Sequence, residues 1–336
     1  ISSLIFHKIN DSIKTRIAKQ RAIVKKLAAV ETLGCTTVIC SDKTGTLTLN
    51  QMTARRLFSL GRLFGVRGEG YACDGDIVAD DDAPLPDWQP LLAPAALCAD
   101  SHIRDGELIG DPTEGALLVL AGKAGLEAVR LNEQFPRIAE IPFDSAYKFM
   151  ATFHHDGAVV RMWLKGAPDV LLVRASKWLT ENGEAPLDEV ARLRFAEVNA
   201  DFAGDALRVL GLAGRAIPAR EFDPAGELMV WAQDLTMIGI AGIIDPPRSE
   251  ARVAIQTCRQ AGIAVKMITG DQRATASAIA RDLGLDGEVR EGRDIDGLSP
   301  DELAAEVEGI AVFARVSPEH KLRIVGALQQ CGHVVA

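Results

Sequence analysis

The chain starts a strand-helix rhythm, abandons it, and takes it up again near its end. Thr36-Thr37-Val38-Ile39-Cys40 is a short β-branched run with the look of a buried strand, and it delivers Asp42 at its carboxyl end. The last third repeats that pattern. Strands are predicted at Met237–Ile244, Ala264–Ile268 and Ile310–Ala314, alternating with helices at Ser249–Ala261, Arg273–Leu283 and His320–Gln330. Strand-helix units with short connections specify a parallel sheet covered on both faces. The middle is different in kind. Tyr71–Pro90 reads as an acidic, proline-containing loop, and helices are predicted at Asp87–Ala99, Asp111–Ala124 and Leu187–Phe202. Lys148–His155 and Ala158–Lys165 alternate as strands around Asp156-Gly157, a hairpin signal, and Leu207–Ala213 reads as a further strand. The expected architecture is one α/β domain interrupted by an inserted α+β domain.

Size and charge are consistent with that division. The 336 residues are more than one core usually holds, and 48% hydrophobic with 25% charged positions is an ordinary globular composition. A formal charge of -9 argues against a general affinity for nucleic acid. No apolar run reaches the ~18 residues of a membrane-spanning helix, and residues 1–30 read as an amphipathic connector. The six cysteines form no CxxC pair and read as reduced, packed thiols. His154-His155 has no carboxylate or cysteine at ligand spacing, which disfavours a metal site there.

The stretch with the most chemistry is Asp42-Lys43-Thr44-Gly45-Thr46-Leu47-Thr48. Ligands of doubly wound sheets bind outside the carboxyl ends of strands, where Asp42 projects. An ionised carboxylate there can attack phosphorus and form an acyl phosphate if a metal ion offsets the phosphate charge. Gly45 permits a tight turn whose N–H groups can hold phosphoryl oxygens.

This string, with Glu31-Thr32-Leu33-Gly34-Cys35 before it and Asn50-Gln51-Met52-Thr53 after it, resembles the phosphorylation signature of the P-type ATPases, within the haloacid-dehalogenase-like fold. The resemblance implies that Asp42 takes the γ-phosphate of ATP and that Asp42 and Thr44 hold Mg²⁺. Phosphatases of that fold usually carry a second aspartate where this chain has Thr44, and its absence suits a longer-lived acyl phosphate. Thr269 and Asp271, in Thr269-Gly270-Asp271, and Lys321, in the segment from Arg315 to Lys321, match the family's phosphate-site residues. Asp245-Pro246-Pro247-Arg248 resembles its hinge, with Asp245, Arg248 and Arg315 expected near nucleotide.

The inserted segment resembles the family's nucleotide-binding domain. Phe143 is expected to stack on adenine, Lys148 and Met150 to line the same pocket, and Glu114 to accept from the adenine amino group. Thr113 belongs to the same GDPTEGAL match. Lys165 and Gly166 lie at a helix N-terminus favourable to anions, and Arg208 is expected on the phosphates. On this resemblance residues 1–30 are a stalk, 31–53 and 244–336 the two parts of a phosphorylation domain, and 54–243 the nucleotide-binding domain. It also implies partners outside this sequence: an actuator domain, and a membrane domain carrying the transported cation, with calcium-type pumps the most similar subgroup. The family's GDGxNDxP segment, whose aspartates complete the Mg²⁺ site, is not in the sequence, so the chain is expected to bind ATP but to phosphorylate poorly. The expected location is the cytoplasmic face of a membrane. Two other functions fit parts of the pattern: a soluble phosphatase of the same fold, disfavoured by Thr44, and a non-catalytic nucleotide-binding module, which would need neither Asp42 nor Lys321.

Overall fold

A computed structural model describes residues 34–336. The connector expected over residues 1–30 and the segment Glu31-Thr32-Leu33 lie outside the described residues. The rest divides into two compact units, 34–47 with Pro247–Ala336 and Thr48–Pro246.

The first unit is built on a four-stranded parallel sheet, in the order Val38–Asp42, Ala264–Ile268, Ile310–Ala314, Glu288–Glu291. Val38 pairs with Ala264 and Asp42 with Ile268, so the first strand begins and ends two residues later than its β-branched run suggests. Helices Ser249–Gln260, Arg273–Leu283 and Pro318–Gln330 accompany the strands, and Ile268, Phe313, Ile324 and Leu328 meet in one core. The last of these helices starts at Pro318, two residues before the predicted start. Ser317 caps it, and proline tolerates the first helical position because its missing N–H has no partner there anyway. Glu288–Glu291 and the short helices Gly292–Asp296 and Pro300–Glu306 carry no clear periodicity and were not predicted. Lys266, 4% exposed on a central strand, donates its ammonium to the carbonyls of Val307, Glu308 and Ile310. Burial pushes its pKa down, and these carbonyls offset the lost hydration.

The second unit carries a ten-stranded, chiefly antiparallel sheet with a separate core on each face, and Leu235–Ile244, expected among the parallel strands, runs in it antiparallel to Arg208–Pro218 and Thr53–Ser59. Neighbouring residues on one strand enter opposite cores: Phe149 packs with Phe153 and Leu171, Met150 with Leu97 and Leu212. The predicted hairpin is present as Phe149–Asp156 and Val159–Gly166, with Gly157 at φ 62° in the turn. Thr53–Ser59 and Arg62–Val66 form a second hairpin whose turn is Leu60-Gly61, a weaker signal than Asp-Gly. Ile77–Ala79 adds a strand inside the segment predicted as loop. The two faces are covered by helices including Gln89–Leu97, Pro112–Lys123 and Glu189–Gly204, each containing residues of one core.

His154 lies within this sheet with no exposed surface. Its Nδ1–H donates to the Phe135 carbonyl at 2.8 Å, and Nε2 is buried without a partner. Burial holds the imidazole neutral, with its pKa depressed to about 4 from 6.5. A depressed histidine pKa means the unfolded chain takes up the proton first as pH falls, so stability is lost from about 6.5 downward. Between pH 7 and pH 5 this one group should remove about 2 kcal/mol. Thermal melts of the chain at the two pH values measure the loss. His154→Phe should flatten that dependence, and an unchanged slope would show that His154 does not set it.

Candidate functional site

Two clusters of chemically capable side chains stand out, one in each unit. In the first, the parallel strands deliver their carboxyl ends together. Asp42 closes the Val38–Asp42 strand with its carboxylate half exposed, and the Lys321 ammonium stands 2.6 Å from Asp42 Oδ2. The chain then turns sharply, with Thr44 at φ -72°, ψ 126° and Gly45 at φ 72°, ψ -7°. These are the angles of a type II turn, whose third position calls for glycine. Arg248 joins the turn from the other end of the insertion, its backbone N–H on the Leu47 carbonyl at 2.8 Å and Nη2 3.4 Å from the Gly45 carbonyl.

Thr269 follows the neighbouring strand and is 2% exposed. Its backbone N–H donates to the Phe313 carbonyl, and its hydroxyl oxygen accepts from the Asp271 N–H at 3.0 Å. Asp271 in turn faces Lys43, whose ammonium is 2.7 Å from Oδ2. Lys43 is 5% exposed and was given no role from the sequence, although it sits inside the motif. Arg315 contributes backbone: its N–H donates to the Asp271 carbonyl at 2.9 Å, from a left-handed φ of 49°. Asp42, Thr44, Thr269, Asp271, Lys321 and the Arg315 backbone therefore share one end of one sheet.

In the second unit, Asp144 pairs with Phe149, and Phe149 with Gly166, which brings three segments side by side. Phe143 is 63% exposed, unusual for a phenylalanine on a sheet. A tight turn follows, closed by the Lys148 N–H on the Asp144 carbonyl at 2.7 Å, with Lys148 itself at φ 57°. Gly166 has no room for a side chain: a Cβ would lie 2.5 Å from Phe149 Cβ and 2.6 Å from the Lys148 carbonyl. Arg208 reaches Thr113, Nη1 to Oγ1, at 3.1 Å.

Glu114 and Lys165 form a buried pair, each 8% exposed, with Oε1 2.5 Å from Nζ. Lys165 also donates to the Cys98 carbonyl. Glu114 Oε2 accepts from the backbone N–H of Asp100 and Ser101 and from the Ser101 hydroxyl at 2.6 Å. Burial alone would raise the Glu114 carboxyl, but the Lys165 ammonium and the Ser101 donors outweigh it and hold it below the usual range. Both oxygens are thus engaged by protein donors. Met150, 1% exposed, is core and lines no surface. Asp245 is buried and accepts from the Thr48 hydroxyl at 2.6 Å and the Gln51 N–H at 3.3 Å. It fastens together the two chain segments that enter and leave the insertion. Cys98, Ser101 and Asp100 had no sequence signal, because nothing in their spacing reveals a shared partner.

Among the described residues no three histidine, cysteine or acidic side chains gather closely enough to hold a metal ion, and no helix is long and apolar enough to cross a membrane. A family profile for the cytoplasmic domain N of P-type ATPases matches residues 87–250, and the chain belongs to that family. Over 96% of its length it is 45% identical to the calcium-transporting ATPase of Bacillus subtilis and 42% identical to the cation-transporting ATPase pma1 of Synechocystis. It is also 39% identical to the calcium-transporting ATPase type 2C member 1 of Bos taurus. The chain spans 37% of the length of the two bacterial relatives and 33% of the bovine one.

Proposed function

We propose that this chain is the catalytic cytoplasmic part of an ATP-driven cation pump, in which Asp42 accepts the γ-phosphate. Residues 31–53 and 244–336 form the phosphorylation domain, of haloacid-dehalogenase-like fold, and 54–243 the nucleotide-binding domain. The observation that carries the reading is the 2.6 Å approach of Lys321 to Asp42 at the strand ends that also present Thr269. An Asp42 carboxylate oxygen attacks the γ-phosphorus in line. The new O–P bond forms as the bridging bond to the β-phosphate breaks, and ADP leaves with the electron pair. Lys321 and the Thr269 hydroxyl donate to the incoming oxygens, and such preorganised charge supplies most of the catalysis in phosphoryl transfer. Because Thr44 stands where a hydrolytic aspartate would be, the acyl phosphate persists.

Mg²⁺ typically takes one or two protein carboxylates and completes its shell with phosphate oxygens and water. The exposed Asp42 carboxylate and the Thr44 main chain fit that habit, and no larger acidic cluster among the described residues competes for the ion. Bound there, it would neutralise charge on the transferring phosphate. In the nucleotide domain the exposed Phe143 ring is the stacking surface. Lys148 lines the same pocket, Arg208, paired with Thr113, is the phosphate contact, and Glu114 anchors Lys165 beside Gly166. The names of the relatives favour Ca²⁺ as the transported cation, acting through a membrane domain.

ATP titrated calorimetrically into the chain should bind at one site. Phe143→Ala should weaken it about 5- to 150-fold, the value of one base–aromatic stack, without lowering the melting temperature. Unchanged affinity in that variant would take the adenine away from Phe143.

A further inference from the structure

We propose that His320 is a positioning residue for Lys321, its imidazole fixing the first turn of the Pro318–Gln330 helix so that the next ammonium stands against Asp42. Three contacts hold the ring. Nδ1 accepts the Ser317 backbone N–H at 2.9 Å, while the Ser317 hydroxyl receives the His320 N–H at 3.4 Å. This is a capping box with imidazole in the place usually taken by Glu or Gln. On the other side Nε2 lies 2.6 Å from Asp296 Oδ1, at the end of the Gly292–Asp296 helix. The ring also lies against Gly292, where an added Cβ would come within 2.6 Å of two ring atoms.

The two polar partners dictate the proton. An N–H donor faces Nδ1 and a carboxylate faces Nε2, so the neutral ring must carry its hydrogen on Nε2. One turn further on, Arg323 donates to the carbonyls of Asp296 and Leu298 and docks the same helix on the same segment. The turn that bears Lys321 is therefore pinned through a neighbour that does not itself touch Asp42. Its consequence for phosphate transfer rests on the proposed role of Asp42; the contact itself does not.

Acetylation of lysines in the 336-residue chain, followed residue by residue by mass spectrometry, reads that contact without ATP. His320→Ala should raise Lys321 labelling about five-fold, the population change expected from losing one cap, with Lys148 unchanged. His320→Gln, able to complete the capping box, should restore much of the protection. Asp42→Asn should raise Lys321 labelling as well, and His320→Ala added to it should cause little more, because both act through one contact. Imidazole ¹⁵N shifts of the unmodified chain should report the Nε2–H form. The proposal is overturned by unchanged Lys321 labelling in folded His320→Ala, by a rise shared with Lys148, by additivity with Asp42→Asn, or by a proton on Nδ1.

Discussion

Glu114→Ala should lower the melting temperature of the Thr48–Pro246 unit by roughly 10 °C. The substitution strands the Lys165 ammonium in a site that is 8% exposed and leaves the Ser101 hydroxyl and two backbone N–H groups without their acceptor. Breaking a buried ion pair by removing one partner typically costs ~3–5 kcal/mol. For a unit of this size each kcal/mol is worth about 2–4 °C. The loss comes mainly from the charge left behind, so a second change should recover part of it. Glu114→Gln with Lys165→Met, which removes both charges, should melt above Glu114→Ala. Circular dichroism melts of the variants are sufficient. A drop of only 1–2 °C for Glu114→Ala would mean that water reaches the pair and that it is no anchor for Lys165. The same buried geometry makes Gly166 intolerant of any side chain, since Phe149 and the Lys148 carbonyl already occupy the space.

The motif around Asp42 was legible because three local signals agree there: a β-branched strand, an aspartate at its end and a glycine for the turn. Thr269 follows a strand, but neither it nor Lys321 stands out singly; their order after Asp42 and the family resemblance single them out. That Lys321 lies beside Asp42 is implied by the resemblance alone, because the two are 279 residues apart and no local signal pairs them. The resemblance implies that Glu114 accepts from the adenine amino group; its contacts with Ser101 and Lys165, brought in by other elements, have no signal in the sequence. The resemblance implies that Met150 lines the adenine pocket with Lys148, whereas its side chain is buried in one of the two cores that cover the sheet. Asp245 read as part of a hinge, and its carboxylate proves to be the clasp, held by Thr48 and Gln51. The strands Thr53–Ser59 and Arg62–Val66 escaped notice because Leu60-Gly61 is not a strong turn pair, yet Leu60 adopts φ 57°.

The central claim is the covalent chemistry of Asp42, and the most direct test is phosphorylation of the full-length protein from γ-labelled ATP across a panel of cations. An acid-stable label that hydroxylamine releases should form in the presence of one activating cation, expected to be Ca²⁺. Asp42→Asn should carry none. Lys321→Ala should slow its formation by about 10²–10³-fold, the cost of removing one preorganised donor from a transition state. Label that persists in Asp42→Asn, or no label under any cation while ATP still binds, would contradict the assignment and leave this chain a nucleotide-binding module.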